Sequence, residues 1–179
     1  MNDESGRPPR GGWATMVAEL HVSDLEVSLA FWRDLLGFAI AYRRTEEGFV
    51  YLERAEGQQL MLCRRSGRFE TGAMRRPFGR GVMLQIYLTG LDGVLAALAA
   101  RGWALYAPAR EIWRRTGDRE SGQREAFVLD PDGYLLMIAE SLGERTVSRA
   151  ARAAHRTRPT TPAATRRASR RRSTRRRAH

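Results

Sequence analysis

The sequence contains no lysine; all 31 of its basic side chains are arginine. It contains one cysteine, Cys63. That excludes an internal disulfide framework and fits a reducing compartment, the cytoplasm. No apolar run approaches the roughly 18 residues of a membrane-spanning helix. The opening MNDESGRPPRGG lacks the apolar stretch of a secretory signal, and residues 1–15 read as a flexible leader. A phosphate-binding glycine loop followed by Lys and Ser or Thr is missing. Gly79-Arg-Gly81 is too short for one and reads as a hinge or turn. Histidine is scarce: of three, His155 and His179 fall near the C-terminus and only His21 lies in the body. One cysteine and one body histidine give poor support for a nucleophilic triad.

Acidic residues are missing from the C-terminal stretch, since none of the 20 lies beyond Glu144. Residues 1–145 hold 19 arginines against those 20 acids, a net charge of −1, and residues 146–179 hold the other 12 arginines. The overall charge of +11 therefore describes the tail and not the ligand of the body. The tail has almost nothing to bury and is expected to be disordered. Arg170, Arg171, Arg172, Arg175, Arg176 and Arg177 suit weak electrostatic contact with nucleic acid. A solubilising extension without a role of its own is the alternative. No aromatic residue interleaves with these arginines, so base stacking is not expected.

The body, residues 16–145, is internally repeated, over about 16–65 and 82–142. His21-Val-Ser-Asp-Leu-Glu-Val-Ser-Leu-Ala-Phe31 matches Tyr87-Leu-Thr-Gly-Leu-Asp-Gly-Val-Leu-Ala-Ala97 at an offset of 66. Gly57-Gln-Gln-Leu-Met61-Leu matches Gly133-Tyr-Leu-Leu-Met137-Ile at an offset of 76. Each copy reads as a strand, a helix and up to three strands. Ser23 or Asp24 can cap the first helix, and Leu25, Leu29, Trp32 and Leu36 recur at helical spacing. Leu91, Val94, Leu95 and Leu98 do so in the second. Gly37 and Gly102 stand where helix stops belong. The fold class is α+β: two βαβββ repeats forming a curved mixed sheet with helices on its outer face.

Side chains alternate across a strand. One parity is aliphatic throughout: Leu20 and Val22, Ile86 and Leu88, Leu60 and Leu62, Leu136 and Ile138. The helices must cover it. The other parity is mixed, with Glu19 and His21, Met83, Gln85 and Tyr87, Met61 and Cys63, and Met137. Such a face suits a small-molecule cavity, or a surface closed by a partner subunit.

Val22-Ser-Asp-Leu-Glu-Val-Ser-Leu-Ala-Phe-Trp-Arg-Asp-Leu-Leu-Gly-Phe38 and Phe127-Val-Leu-Asp-Pro-Asp-Gly-Tyr-Leu-Leu-Met137 resemble the vicinal oxygen chelate superfamily. Glyoxalase I, extradiol dioxygenases and the bleomycin resistance proteins belong to it. Its enzymes hold a divalent metal through one His or Glu on each of four strands. The matching positions here are Val17, Met61, Met83 and Met137, all apolar and poorly suited to a hard cation. Neither metal nor cofactor is therefore expected. Glu19 and His21 are the nearest substitutes for ligands.

Glu47-Gly-Phe-Val-Tyr-Leu-Glu53, Pro77-Phe-Gly-Arg-Gly81 and Glu111-Ile-Trp-Arg-Arg115 are similar to the bleomycin resistance branch. That resemblance implies an arm-swapped homodimer that sequesters a bulky antibiotic in grooves between subunits and makes no bond. Trp113, read as lying in a loop, is the first candidate to line a groove or pack on the partner. Phe49, Tyr51, Met61, Met83, Gln85, Tyr87, Phe127, Met137, Glu19 and His21 are the other candidates. Phe31 and Trp32 are assigned to the core or a dimer contact. Asp130 and Asp132 are assigned to a turn. A metal-dependent lyase or dioxygenase, and a nucleic-acid module acting through the tail, are the rival functions.

Overall fold

Strand alternation and helical periodicity each appear where the residue pattern requires them. The computed structural model describes residues 6–147. The first repeat is β1 (Ala18–Val22), α1 (Leu25–Leu29) continuing as a π-helical segment (Ala30–Leu35), β2 (Ala39–Arg44), β3 (Phe49–Glu53) and β4 (Gln59–Arg64). The second is β5 (Met83–Tyr87), α2 (Leu91–Ala100), β6 (Leu105–Thr116), β7 (Arg119–Leu129) and β8 (Leu135–Thr146). Expectations for the arginine tail lie outside the described residues, apart from Thr146 and Val147. None of the described helices is long and apolar enough to cross a membrane.

The expected mixed curved sheet is built as two four-stranded sheets, ordered β1-β4-β3-β2 and β5-β8-β7-β6. In each, the opening strand runs parallel to the closing strand and the other pairs are antiparallel. The registers are equivalent: Leu20 faces Leu62 in one and Ile86 faces Ile138 in the other.

Asp24 caps α1, its carboxylate accepting from the Glu26 and Val27 amides, so of the two candidate caps Asp24 is the one used. The π turn closes with the Leu36 N–H donating to the Phe31 carbonyl at 3.1 Å. This wider turn lets the adjacent Phe31 and Trp32 both point inward together with Leu35 and Leu36. Gly37 (φ 74°) and Gly102 (φ 63°) stop the two helices, in a conformation that a β-carbon would strain.

Both aliphatic parities meet in one core with both helices. Leu20, Val22, Leu60, Leu62, Ile86, Leu88, Leu136 and Ile138 are buried there with Leu29, Phe31, Trp32, Leu91 and Leu98. Phe31 packs on Trp103 across the repeats at 5.0 Å. The two mixed parities turn away from this core.

Two buried carboxylates join the repeats. Asp130 accepts from the Asp132 and Tyr134 amides at 3.0 and 2.9 Å and faces the Trp32 indole N–H at 3.4 Å. Asp132 accepts from the Ser23 amide at 2.8 Å, the Ser23 hydroxyl at 2.6 Å and Arg76 at 2.8 Å. The Tyr134 hydroxyl donates to the His21 carbonyl at 3.1 Å. The turn role read from the sequence is present, and the same residues also tie β1 and the first helix to the second repeat.

The segment expected to be a flexible leader is tied down over residues 7–14. The Arg7 amide donates to the Ala41 carbonyl at 3.1 Å, and the Arg10 amide donates to Glu53 at 2.7 Å. Gln59 accepts from the Ala14 amide at 2.9 Å and donates to the Gly12 carbonyl at 2.6 Å. Its partners Glu53 and Gln59 are distant in sequence, which hid the contact.

Asp132→Ala removes a buried carboxylate that accepts from Ser23 and Arg76 and should destabilise the fold by about 2–3 kcal/mol; urea unfolding reads this directly. Burial pushes the Asp130 carboxyl up from 3.8 to about 6, against the backbone hydrogen bonds from Tyr134 and Asp132 that pull it down. Its folded state therefore holds a proton more tightly than the unfolded chain. The stability contributed is complete below the unfolded value and is lost as pH rises through about 6. Asp130→Asn should flatten the urea midpoint against pH across that window, and an unchanged slope would refute the assignment.

Candidate functional site

The mixed parity of the first sheet forms one wall of a cleft of about 410 Å³, lined by Glu19, His21, Phe49, Met61 and Cys63, with arginines 44, 64, 65 and 68 around it. The parallel register sets Glu19 beside Met61 and His21 beside Cys63. His21 Nε2 lies 3.4 Å from a Glu19 oxygen, and its buried Nδ1 has no hydrogen-bond partner among the described residues. Burial, helped by the charges of Glu19 and Glu47, pushes the Cys63 thiol above its usual range.

Next to the cleft is an aromatic cluster. Tyr42 and Tyr51 stack at 5.2 Å with their planes 16° apart. Trp13 meets Tyr51 edge-on at 5.4 Å while remaining 59% exposed. Arg44 lies over the Phe49 ring at 4.1 Å. Phe49 and Tyr51 share a face, as the alternation implied, but Tyr51 is buried beneath the N-terminal segment and only Phe49 reaches the cleft.

The remaining candidates gather on the second sheet. Gln85 and Phe127 both pair with Met137 across the strands. Met137 is buried, with its sulfur 3.8 Å from the Gln85 amide nitrogen and 3.7 Å from that of Gln123. Met83 and Tyr87 are 41% and 46% exposed. The Tyr87 hydroxyl donates to Gln123 at 2.7 Å, and the Gln123 amide donates to Glu125. Gln123, Glu125, Arg110 and Arg114 were not among the site residues expected from the sequence, although Arg114 adjoins the expected Trp113. The available signal was parity: Gln123 and Glu125 alternate with Phe127 on β7.

Trp113 differs from its expected placement. It stands inside strand β6, not in a loop, opposite Gly122. The register from Arg110 to Trp113 is unbroken, so alternation puts Trp113 on the face opposite Arg110 and Arg114. Its ring fills the space where a Gly122 β-carbon would stand, and Arg145 stacks on it at 3.9 Å. Phe31 and Trp32 belong to the core.

The donors do not fit the superfamily's metal. Val17, Met61, Met83 and Met137 offer no oxygen or imidazole, and among the described residues no three His, Cys, Asp or Glu side chains are grouped to hold an ion. Glu19 and His21 supply two donors on one sheet; Gln85 and Tyr87 are their counterparts on the other.

The profile of the Glyoxalase/Bleomycin resistance protein/Dioxygenase superfamily matches residues 14–138. The chain belongs to this superfamily. Solved structures with the same fold include a virulence protein of Salmonella typhimurium, at 22% identity and TM-score 0.53 over 72% of this chain and 96% of that one. TioX from Micromonospora sp. ML1 is similar at 20% identity and TM-score 0.53, over 73% of this chain and 100% of its own. A superfamily member from Sphaerobacter thermophilus gives 22% and 0.52, over 72% and 97%. At these identities the likeness is one of fold. No curated protein matches the chain.

A raised thiol pKa leaves less thiolate at neutral pH. Cys63 should therefore react with iodoacetamide several-fold more slowly than free cysteine at pH 7.5, with the rate still rising above pH 9; mass spectrometry of the alkylated chain measures it.

Proposed function

We propose that this protein binds and sequesters a small molecule without a metal and without breaking a bond in it. The observation that carries the reading is the apolar set Val17, Met61, Met83 and Met137 at the four positions where the resemblance places the superfamily's ligands, with Met61 lining the cleft of the first sheet. Methionines offer adaptable apolar contact and weak coordination of hard cations. The first mixed face is partly covered by the N-terminal segment and keeps the Glu19–His21 cleft, and Met83 and Tyr87 expose apolar area on the second. A homodimer that apposes the first face of one chain to the second face of its partner would convert two open faces into two enclosed grooves. The family resemblance makes a bleomycin-type antibiotic the first ligand to try.

The test uses the full chain. Metal is measured by elemental analysis, and antibiotics of the bleomycin type and other classes are titrated against tryptophan emission, to which exposed Trp13 beside Tyr42 and Tyr51 contributes. The expected result is saturable binding at two sites per dimer in metal-free protein, weakened about tenfold by Phe49→Ala. Stoichiometric metal in the purified protein would replace this reading with a lyase or dioxygenase. Absence of saturable binding by any antibiotic class would refute sequestration.

A further inference from the structure

We propose that the mixed face of the second sheet is an oxyanion subsite, in which Arg110 and Arg114 take a carboxylate or phosphate group of an otherwise apolar ligand. The proposal deepens the sequestration reading and rests on it.

The argument begins with a charge imbalance. Glu125 is fully buried. Arg110 donates to it through Nε at 3.0 Å and Nη2 at 2.9 Å, and Arg114 donates through Nη1 and Nη2, each at 3.2 Å. Burial alone would raise this carboxyl, but hydrogen bonds from Arg114, Gln123 and Arg110 hold it below its usual range, so it is ionised at neutral pH. One bidentate arginine satisfies a carboxylate; here there are two. Glu144, the other carboxylate on this parity, is engaged by Arg119 at 2.6 Å. The Arg110–Arg114–Glu125 cluster therefore keeps one positive charge in excess. The side chains of Arg110 and Arg114 remain 60% and 49% exposed, so both guanidinium groups are reachable from the open face.

The cluster is also oriented. Tyr87 donates to Gln123 and Gln123 donates to Glu125, which fixes the carboxylate that in turn fixes both arginines. A guanidinium held by its own buried counter-ion is preorganised to present its remaining N–H groups to a second anion. Beside the cluster, Phe127 lies under Arg110 at 5.9 Å over the buried Met137, and Met83 and Tyr87 expose apolar area on the same parity. A flat apolar body fits along these residues with its anionic end at the arginines. This chemistry accounts for a body whose net charge is only −1, where a trap for cationic molecules would be more acidic.

The experiment titrates the full chain at 150 mM salt with 2-naphthoate, 2-naphthyl phosphate, 2-naphthylmethanol and 2-naphthylmethylamine, by calorimetry. Wild type should bind an anionic probe saturably and at least tenfold more tightly than the alcohol or amine. The tighter of the two anions distinguishes carboxylate from phosphate. Arg110→Gln with Arg114→Gln should remove that preference; the tail's 12 arginines are common to both proteins, so the difference reads the subsite. Glu125→Gln keeps an acceptor for the arginines and raises the local charge, so it should tighten anion binding several-fold, an effect that structural damage would not produce. Equal affinity for charged and neutral probes, or no change in anion affinity in Glu125→Gln, overturns the subsite. If the amine or a cationic antibiotic still saturates the groove, sequestration survives that failure. If no naphthalene compound and no antibiotic binds, both readings fall.

Discussion

Asp130 and Asp132 form the connection on which the two repeats depend. No ladder joins the two sheets among the described residues, so their mutual placement rests on the shared core, on these carboxylates, and on the bonds from Thr89 to Glu56 and from Gln58 to the Tyr87 carbonyl at the other end. Apolar packing is non-directional and tolerates sliding. The bonds from Ser23, Arg76 and Trp32 to the Asp130–Asp132 turn, and from Tyr134 to the His21 carbonyl, fix which end of β1 meets the second repeat. Leaving the buried Asp130 and Asp132 carboxylates or the Trp32 indole unpaired costs more than the bond contributes, which makes the junction specific as well as stable. The raised Asp130 carboxyl reflects the same economy: burial opposes its charge, and two backbone amides and an indole only partly offset that.

That junction decides which faces turn away from the core. With both aliphatic parities facing one core, the mixed parities are directed outward on separate sheets. The first face is further narrowed by residues 7–14, whose bonds to Glu53 and Gln59 bring Trp13 over Tyr42 and Tyr51. The second face has no such cover and exposes Met83 and Tyr87. The first face therefore presents an aromatic edge, and the second presents arginine and amide.

The scaffold was legible because its signals are local. Period-two alternation assigned the core-facing residues of the opening and closing strands, Leu20, Val22, Leu60, Leu62, Ile86, Leu88, Leu136 and Ile138, and matched segments with a glycine at each helix stop revealed the repeat. Trp113 was misread because Pro108 and the polar run Arg110 to Arg115 conceal the alternation of β6, whose pairing to β7 supplies what the residues do not. The N-terminal tie and the Arg110–Arg114–Glu125 cluster were invisible for a different reason. Each needs partners brought together only by strand register, and neither Glu53 nor Glu125 differs in sequence from an ordinary strand carboxylate. Carboxylate burial is a tertiary property.

Comparison of the repeats with each other separates scaffold from site. Across the offsets of 66 and 76, the core-facing pairs stay alike: Leu20 with Ile86, Val22 with Leu88, Leu60 with Leu136, Leu62 with Ile138. The outward pairs do not: Glu19 with Gln85, His21 with Tyr87, Cys63 with Ala139, and only Met61 with Met137 agree. Packing explains the first set, since a polar or much smaller residue there would open the shared core. The packing constraint on the second set is weaker, because Glu19, His21 and Cys63 line the cleft and Tyr87 is half exposed, although Met137 and Ala139 are buried. Two faces with the same backbone have thus been given different chemistry, one histidine and carboxylate beside aromatics, the other paired arginines on a buried glutamate. A groove made of one face of each kind would be asymmetric by construction, recognising opposite ends of a ligand by unlike groups.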